Sequence, residues 1–454
     1  MTKHLMKDFE AVTAKEWKQK IQVDLKGADY ESLITHTPEG IDIKPFYHQE
    51  DLENKPSIAS PNDWNIVEKL MVSDVDQTIK DINYSLSKGS EALWLVVEKE
   101  SVNLLDIFKD LELSATPIYV EFQFLNPKYI IAFAEFLKGK KHQVRIGIDP
   151  IGELAATGNW YHSLKADQEA LAYVIKHTAH LPAKISIDTS TYQNAGANMV
   201  QQLAYALAHA NEYLNQHGEA LKEQKLVFKI AVGSNYFFEI AKLKALRQLY
   251  ATLAAAYELP EEIEILAYPS DRNKTIYDYN VNLLRTTTEC MSAILGGSDF
   301  ICNLAYDKIF HKENEFGSRI ARNQLLILKN ESYFDKVSNP TDGTYYIEDL
   351  TQQLSEKALA LFKSIEKGGG FLVQLKEGII QRKIKEAAQK EQDEFNSGET
   401  ILVGTNKYEN LEDKMKNDLE HSPFLEIKER KTLLPPVIKR RLAEAIEQER
   451  LKKE

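Results

Sequence analysis

Seven short segments dense in β-branched and aromatic residues recur between residues 92 and 307, and longer stretches with helical periodicity separate them. They are "ALWLVVE" (92–98), "PIYVEFQF" (117–124), "VRIGID" (144–149), "KISIDTS" (184–190), "LVFKIAVG" (226–233), "IEILAYPS" (263–270) and "DFICNLAYD" (299–307). Intervening runs such as "NMVQQLAYALAHANEYL" place apolar residues at three- and four-residue steps, the stripe a helix needs to cover a sheet. Repeated strand–helix units require a parallel sheet, and about eight of them close into a (β/α)8 barrel. "YFDKVSN" (333–339) is the expected eighth strand. An open doubly wound sheet is the other solution, but it usually carries a glycine-rich phosphate loop after its first strand, and none follows residue 98.

The expected organisation is an arm over residues 1–60, an α/β barrel over 61–355 and a helical extension over 356–454. The arm begins as an amphipathic helix and continues through the turn-rich "THTPEGIDIKPFYHQEDL". The charged ending "KRRLAEAIEQERLKKE" reads as a solvated helix. A net charge of −12, with acid spread along the chain, argues against a nucleic-acid partner. No apolar run approaches the ~18 residues of a spanning helix, the start lacks a signal core, and the two cysteines suit a reducing compartment. The expectation is a cytoplasmic protein with no membrane partner.

In a barrel, chemistry sits at the carboxyl ends of the strands. Residues there include Glu98, Gln123, Asp149, Gly233, Ser234, Ser270, Asp271, Cys302 and Asn303, together with the polar cluster Ser190, Thr191, Gln193 and Asn194. That cluster offers hydroxyls and amides but no acid, base or metal ligand. His177 and His180 are one helical turn apart with no third ligand close in sequence, so no metal site is expected. Cys302, inside an apolar strand, reads as core packing. The glycines of "AILGGSD" and "EKGGGF" read as helix ends. From these residues alone, ligand binding and catalysis are equally supported.

Several ordered stretches narrow the choice: "TYQNAGA" (191–197), "VGSNYFFEIAKLKALR" (232–247), "YDYNVNLLRTTTECMSAILGG" (277–297), "SRIARNQLLIL" (318–328), "PTDGTYYIEDLTQQL" (340–354) and "VGTNKY" (403–408). Together they resemble the acyl-CoA mutase domain of the methylmalonyl-CoA mutase family, and the arm and tail resemble that family's flanking segments. The resemblance implies a barrel that threads coenzyme A along its axis, and a separate domain whose adenosylcobalamin starts a radical interconversion of methylmalonyl-CoA and succinyl-CoA, a step of propionate metabolism.

Measured against that pattern, the chain departs where activity resides. Active members read Y-H-x-Q-x-A-G-A where this chain has Ser190 and Thr191 before Tyr192 and Gln193. The radical-steering Tyr of R-Q-Y-A-G-F falls at Lys69, the His of L-H-T-N at Cys302 with Asn303 next, and R-L-S-F becomes Lys225, Leu226, Val227, Phe228. No histidine has Asp two residues before it, as the cobalt-binding D-x-H-x-x-G requires, and the chain ends about where the linker to that domain would begin.

Heteromeric members of the family pair a catalytic large subunit with a smaller non-catalytic homologue. The substitutions imply the latter role, in a heterodimer whose large subunit carries the adenosylcobalamin, with no cofactor bound by this chain. They also imply no catalytic residue here, and a vestigial substrate pocket of Thr191, Gln193, Asn194, Lys225, Val227 and Asn303 with residual binding of CoA esters left open. Two alternatives stand beside this: a barrel subunit working with a separate cobalamin-binding chain, and a regulatory protein that binds acyl-CoA.

Overall fold

The computed structural model describes residues 10–51, 63–426 and 430–454, so residues 1–9 and 52–60 of the expected arm lie outside the described residues. Eight parallel strands form the centre: β1 Asn65–Val72, β2 Ala92–Val97, β3 Ile118–Phe122, β4 Val144–Gly147, β5 Ser186–Asp188, β6 Val227–Val232, β7 Glu264–Pro269 and β8 Phe300–Cys302. Each pairs in parallel with its neighbour in sequence, β8 returns to β1 through Phe300 opposite Asn65, and a parallel bridge between Ile148 and Ile185 joins β4 to β5. The sheet is therefore a closed (β/α)8 barrel. All six residues of β2 are buried, because one face meets the surrounding helices and the other fills the barrel.

One expectation about the strands is corrected. The eighth strand is not "YFDKVSN": residues 333–339 form no strand, and the missing member is β1, ahead of the first segment read as apolar. Tyr333 has φ 58°, and Ser332 and Phe334 donate backbone bonds to Ile327 and Leu328, so the stretch closes the helix Glu315–Asn330 instead.

The outer core lies between the strands and helices such as Met199–His217 and Tyr236–Ala256, on which the helix Tyr345–Lys367 packs. That helix runs through residue 355 without a break. The glycine readings hold at Gly297, Gly369 and Gly370, which sit at helix ends with φ between 83° and 99°. On the amino-terminal side, Thr13 and Glu16 form a capping box on the helix Ala14–Asp24, and Trp17 stacks on Phe46 with ring centroids 4.5 Å apart. A two-residue hairpin, Thr35–His36 against Asp42–Ile43, then delivers Ile41 fully buried into the main core.

A second correction concerns the tail. Only its last turns form a helix, Glu444–Lys453, and the segment before it is not a solvated surface. Residues 433–442 cross the carboxyl ends of the strands: Val437 N donates to Ala155 O, Arg440 N to Asn194 O and Leu442 N to Arg272 O. Arg441 and Glu447 are buried and paired at 2.6 Å, and Glu447 also accepts from Ile276 N at 2.9 Å. Of the charges that suggested solvent, Arg441 and Glu447 form this internal ion pair, while Lys439, Arg440, Glu449, Lys452 and Lys453 remain exposed. Among the described residues no helix is long and apolar enough to cross a membrane.

Candidate functional site

Alternation along the strands decides what points into the barrel. Val67, Ala92, Trp94, Tyr119, Val227, Leu266 and Cys302 form an inner cluster separate from the outer core, with Tyr268 and Phe300 packed on it. Near the amino-terminal end, Arg145 grips Glu264 with two bonds of 2.5 and 2.6 Å over the ring of Phe300. In the middle, Tyr119 reaches across to β4, where only Gly147 admits it: a Cβ there would lie 1.9 Å from the Tyr119 hydroxyl. Space left in this half is about 10 Å³, no more than a single water needs. The axis is packed in this half, while toward the carboxyl end Val67, Trp94, Tyr268 and Cys302 of the same cluster line a cavity of about 320 Å³.

At the carboxyl end, Lys229 Nζ lies 2.9 Å from both Glu121 Oε2 and Asp188 Oδ2, and Trp94 Nε1 donates to the same Glu121 oxygen at 2.9 Å. Burial alone would lower the Lys229 ammonium and raise the Asp188 carboxyl. Their mutual attraction outweighs this, leaving Lys229 well above and Asp188 well below their ordinary ranges. Both stay charged at neutral pH, so neither exchanges a proton with a substrate.

The polar cluster after β5 forms a short buried helix, Ser190–Asn194, in which Ser190, Gln193 and Asn194 are engaged by internal bonds. Ser190 Oγ donates to Asp188, Gln193 Nε2 donates to Glu239 and its Oε1 accepts from Lys242, and Asn194 Oδ1 accepts from Ser270 Oγ and Asp271 N. Behind it, His209 bonds Tyr192 at 3.0 Å and Asp149 at 2.8 Å, with Tyr213 donating to the same carboxyl. Burial opposes the charge on Asp149, yet His209 and these hydrogen bonds hold it below the usual carboxylate range. This Tyr–His–Asp chain has the order of a proton relay, but Tyr192 and His209 are both fully buried, so it braces the helix.

Besides a cavity of about 290 Å³ under the tail, lined by Asn194, Asp271 and Lys308 among others, two more open at this end. One, about 320 Å³, lies beside β1 and β8 and is lined by Lys69, Trp94, Tyr268, Cys302, Asn303 and Lys308 among others. The other, about 600 Å³, lies between the amino-terminal hairpin and the helix Ile379–Ser397, with Gln193 in its wall. Burial pulls the Lys69 ammonium down to about 8, Lys308 pushing the same way, while Nζ sits 4.0 Å above the Trp94 ring. Burial pushes the Cys302 thiol up to about 12, so at neutral pH it is not a nucleophile.

The residues expected to share one pocket are thus dispersed. Asn303, with Lys69 and Cys302, faces the 320 Å³ cavity, and Gln193 faces the 600 Å³ one. Thr191 lines neither, and Asn194 is tied beneath the tail. Val227 is part of the filled axis, and Lys225 sits outside the opposite end of the barrel on Glu262. Sequence reasoning missed Glu121, Asp188 and Lys229, although a charged residue between apolar neighbours in "VEF", "IDT" and "FKI" signals an inward group that needs a partner. No group of three or more His, Cys, Asp or Glu positioned for a metal occurs among the described residues.

Comparison with known proteins places this architecture. The family model described as methylmalonyl-CoA mutase matches residues 103–452. The chain is 32% identical to the methylmalonyl-CoA mutase small subunit of Porphyromonas gingivalis, over 90% of this chain and 71% of that protein. It is 28% identical to the methylmalonyl-CoA mutase of Rhizobium meliloti and 29% identical to the human mitochondrial one, over 90% and 87% of this chain. Against these two it spans less than two thirds of the relative, 64% and 60%. Among solved structures, a dihydropteroate synthase from Stenotrophomonas maltophilia aligns with 60% of the chain and 94% of its own at TM-score 0.35 and 11% identity, too distant to inform the site.

Proposed function

Because the chain belongs to the methylmalonyl-CoA mutase family, we propose that it is the small, supporting subunit of a methylmalonyl-CoA mutase. It stabilises a catalytic large subunit in a cytoplasmic heterodimer and carries out no chemistry itself. The observation that carries this reading is the packed lower half of the axis. A pantetheine arm needs a continuous lumen, whereas Arg145–Glu264, Tyr119, Trp94 and Lys229 occupy the line in succession and leave about 10 Å³ in its lower half. The family's Tyr and His positions support it further: Lys69, Thr191 and Cys302 supply neither an imidazole nor a phenol.

The fit to adenosylcobalamin is also poor. No histidine stands in a D-x-H-x-x-G setting, and the tail covers the β5 and β7 side of the barrel mouth. The cofactor is assigned to the partner, where it supplies the radical chemistry. Two other readings lose ground on the same observations. A barrel subunit served by a separate cobalamin chain needs the family's phenol and imidazole at their own positions, where Lys69, Thr191 and Cys302 stand, and an acyl-CoA sensor needs the lumen.

The test is co-expression with a full-length mutase chain from the same genome, with purification on a tag fused to this chain. Equimolar co-purification, one cobalamin per pair, and methylmalonyl-CoA turnover that survives Thr191→Ala would uphold the proposal. No retained partner, or an intact complex inactivated by that substitution, would overturn it.

A further inference from the structure

Residues 398–443 join the helices Ile379–Ser397 and Glu444–Lys453, and among the described ones none lies in a helix or strand. The middle of this stretch is nonetheless fastened to the loop after β8 as a strap. Glu420 N and His421 N donate to Phe310 O at 2.9 and 3.3 Å, and Lys312 N donates to Glu420 Oε2 at 2.7 Å. Met415 is buried beside Phe310, Ile276 and Tyr277. The strap walls two of the spaces at the barrel mouth: His421 lines the 320 Å³ one, and Pro423 and Phe424 line the 290 Å³ one.

One further anchor can change with pH. His311 stands between two carboxylates, with Nδ1 3.2 Å from Asp307 Oδ2 on its own loop and Nε2 3.4 Å from Asp418 Oδ1 on the strap. A neutral imidazole has one N–H and one lone pair, so it donates to only one of them, whereas the imidazolium donates to both. Asp307 is 2% exposed and bonds the Asn314 amide at 2.8 Å, but among the described residues His311 is its one cation within ion-pair distance. Losing the proton would therefore leave a buried anion without a counterion. The other ionisable groups on the packed elements are Lys308, Lys312 and Glu313 around the loop and Glu420 and His421 on the strap, and none of them is an ion-pair partner of the ring. We propose that His311 is a pH-sensitive latch: doubly protonated, it ties residues 413–424 to the β8 loop, and deprotonated, it releases Asp418 and lets the strap open over the barrel mouth. Burial works against the imidazolium, but Asp307 and Asp418 outweigh it and raise His311 above its ordinary 6.5. A raised folded value means that the latch stabilises fully below 6.5 and is lost as pH rises through that folded value. The latch does not depend on the subunit reading.

The experiment is hydrogen exchange of the full chain read by mass spectrometry from about pH 5.5 to about pH 8.5, with protection corrected for the intrinsic rate at each pH. Protection of peptides covering 413–424 should fall at least about threefold across that range, while the helix Met199–His217 stays level. In His311→Gln, which keeps a hydrogen-bonding amide but carries no charge, the strap should sit at the high-pH level throughout. Asp418→Asn, at a side chain 48% exposed, should shrink the fall and move the NMR titration midpoint of His311 down toward 6.5; it also stands in if His311→Gln fails to fold. Level strap protection in the native chain, a fall that persists in His311→Gln or is undiminished in Asp418→Asn, or a native His311 midpoint at or below 6.5 would each overturn the proposal.

Discussion

Replacing Lys229 by methionine keeps the side-chain length and removes only the charge that holds the barrel mouth together. Its side chain is 6% exposed and lies 2.9 Å from carboxylates of both β3 and β5, which are themselves 21% and 23% exposed. Removing one partner of a buried ion pair costs about 3–5 kcal/mol. Partial access of water to Glu121 and Asp188 puts the expected loss near the lower limit, about 3 kcal/mol at neutral pH.

The pH dependence separates this from simple loss of packing. In the native protein Asp188 titrates well below the unfolded value of 3.8, so its stabilisation is complete above that value and lost as pH falls toward the folded pKa. In Lys229→Met two carboxylates face each other without a cation, and their folded pKa values move up. Stability of the variant should then fall as pH rises from about 4.5 to about 7.5, while that of the native chain is nearly level. Urea unfolding followed by far-UV circular dichroism at those two pH values measures the difference. A loss of the same size at both, or one below about 1 kcal/mol at the higher pH, would refute the electrostatic account.

Phe371→Ala should destabilise by about 3–5 kcal/mol, since this fully buried ring stacks on His209 at 5.4 Å and meets Tyr192 and Tyr205; a smaller shift in the urea midpoint would mean that the site collapses. Glu447→Ala leaves Arg441 and Ile276 N without their buried acceptor and should cost about 3 kcal/mol, with faster proteolysis of the tail as the second readout. Observed directly by NMR, Lys69 Nζ should titrate near 8, among Lys308, Lys229, Glu121 and Cys302. Lys308→Ala should move it upward, because a neighbouring positive charge is removed. As the folded value lies below the unfolded 10.5, Lys69 should add stability as pH rises from about 8 to about 10.5.

The strands that were legible in the sequence are those buried on both faces, such as "ALWLVV", where every residue is apolar whichever way it points. β1 escaped notice because Glu68 and Lys69 interrupt "NIVEKLMV", and only the three-dimensional structure supplies Arg322 and the Trp94 face that make those charges tolerable there. The tail misled for the same reason. A sequence counts the charges of Arg441, Glu444 and Glu447 but not their partners, which lie some 170 residues away for Ile276 and Lys274. Within the site, family motifs ranked positions by kinship, whereas strand direction separates them. Lys225 and the mouth are at opposite ends of β6, about 20 Å apart at the rise of a strand.

The dependence of the β7 loop on the tail has a consequence for biogenesis. Ile276 N must wait for Glu447, Lys274 O for Arg441, and the Tyr277 hydroxyl for Glu454, separations of 171, 167 and 177 residues. At ribosomal speeds of roughly 5–20 residues per second, that interval is on the order of ten seconds or more. Throughout it the nascent barrel exposes an unsatisfied rim that no earlier segment supplies. The window is long enough for a chaperone, or a partner subunit already made, to engage the rim before the chain seals it.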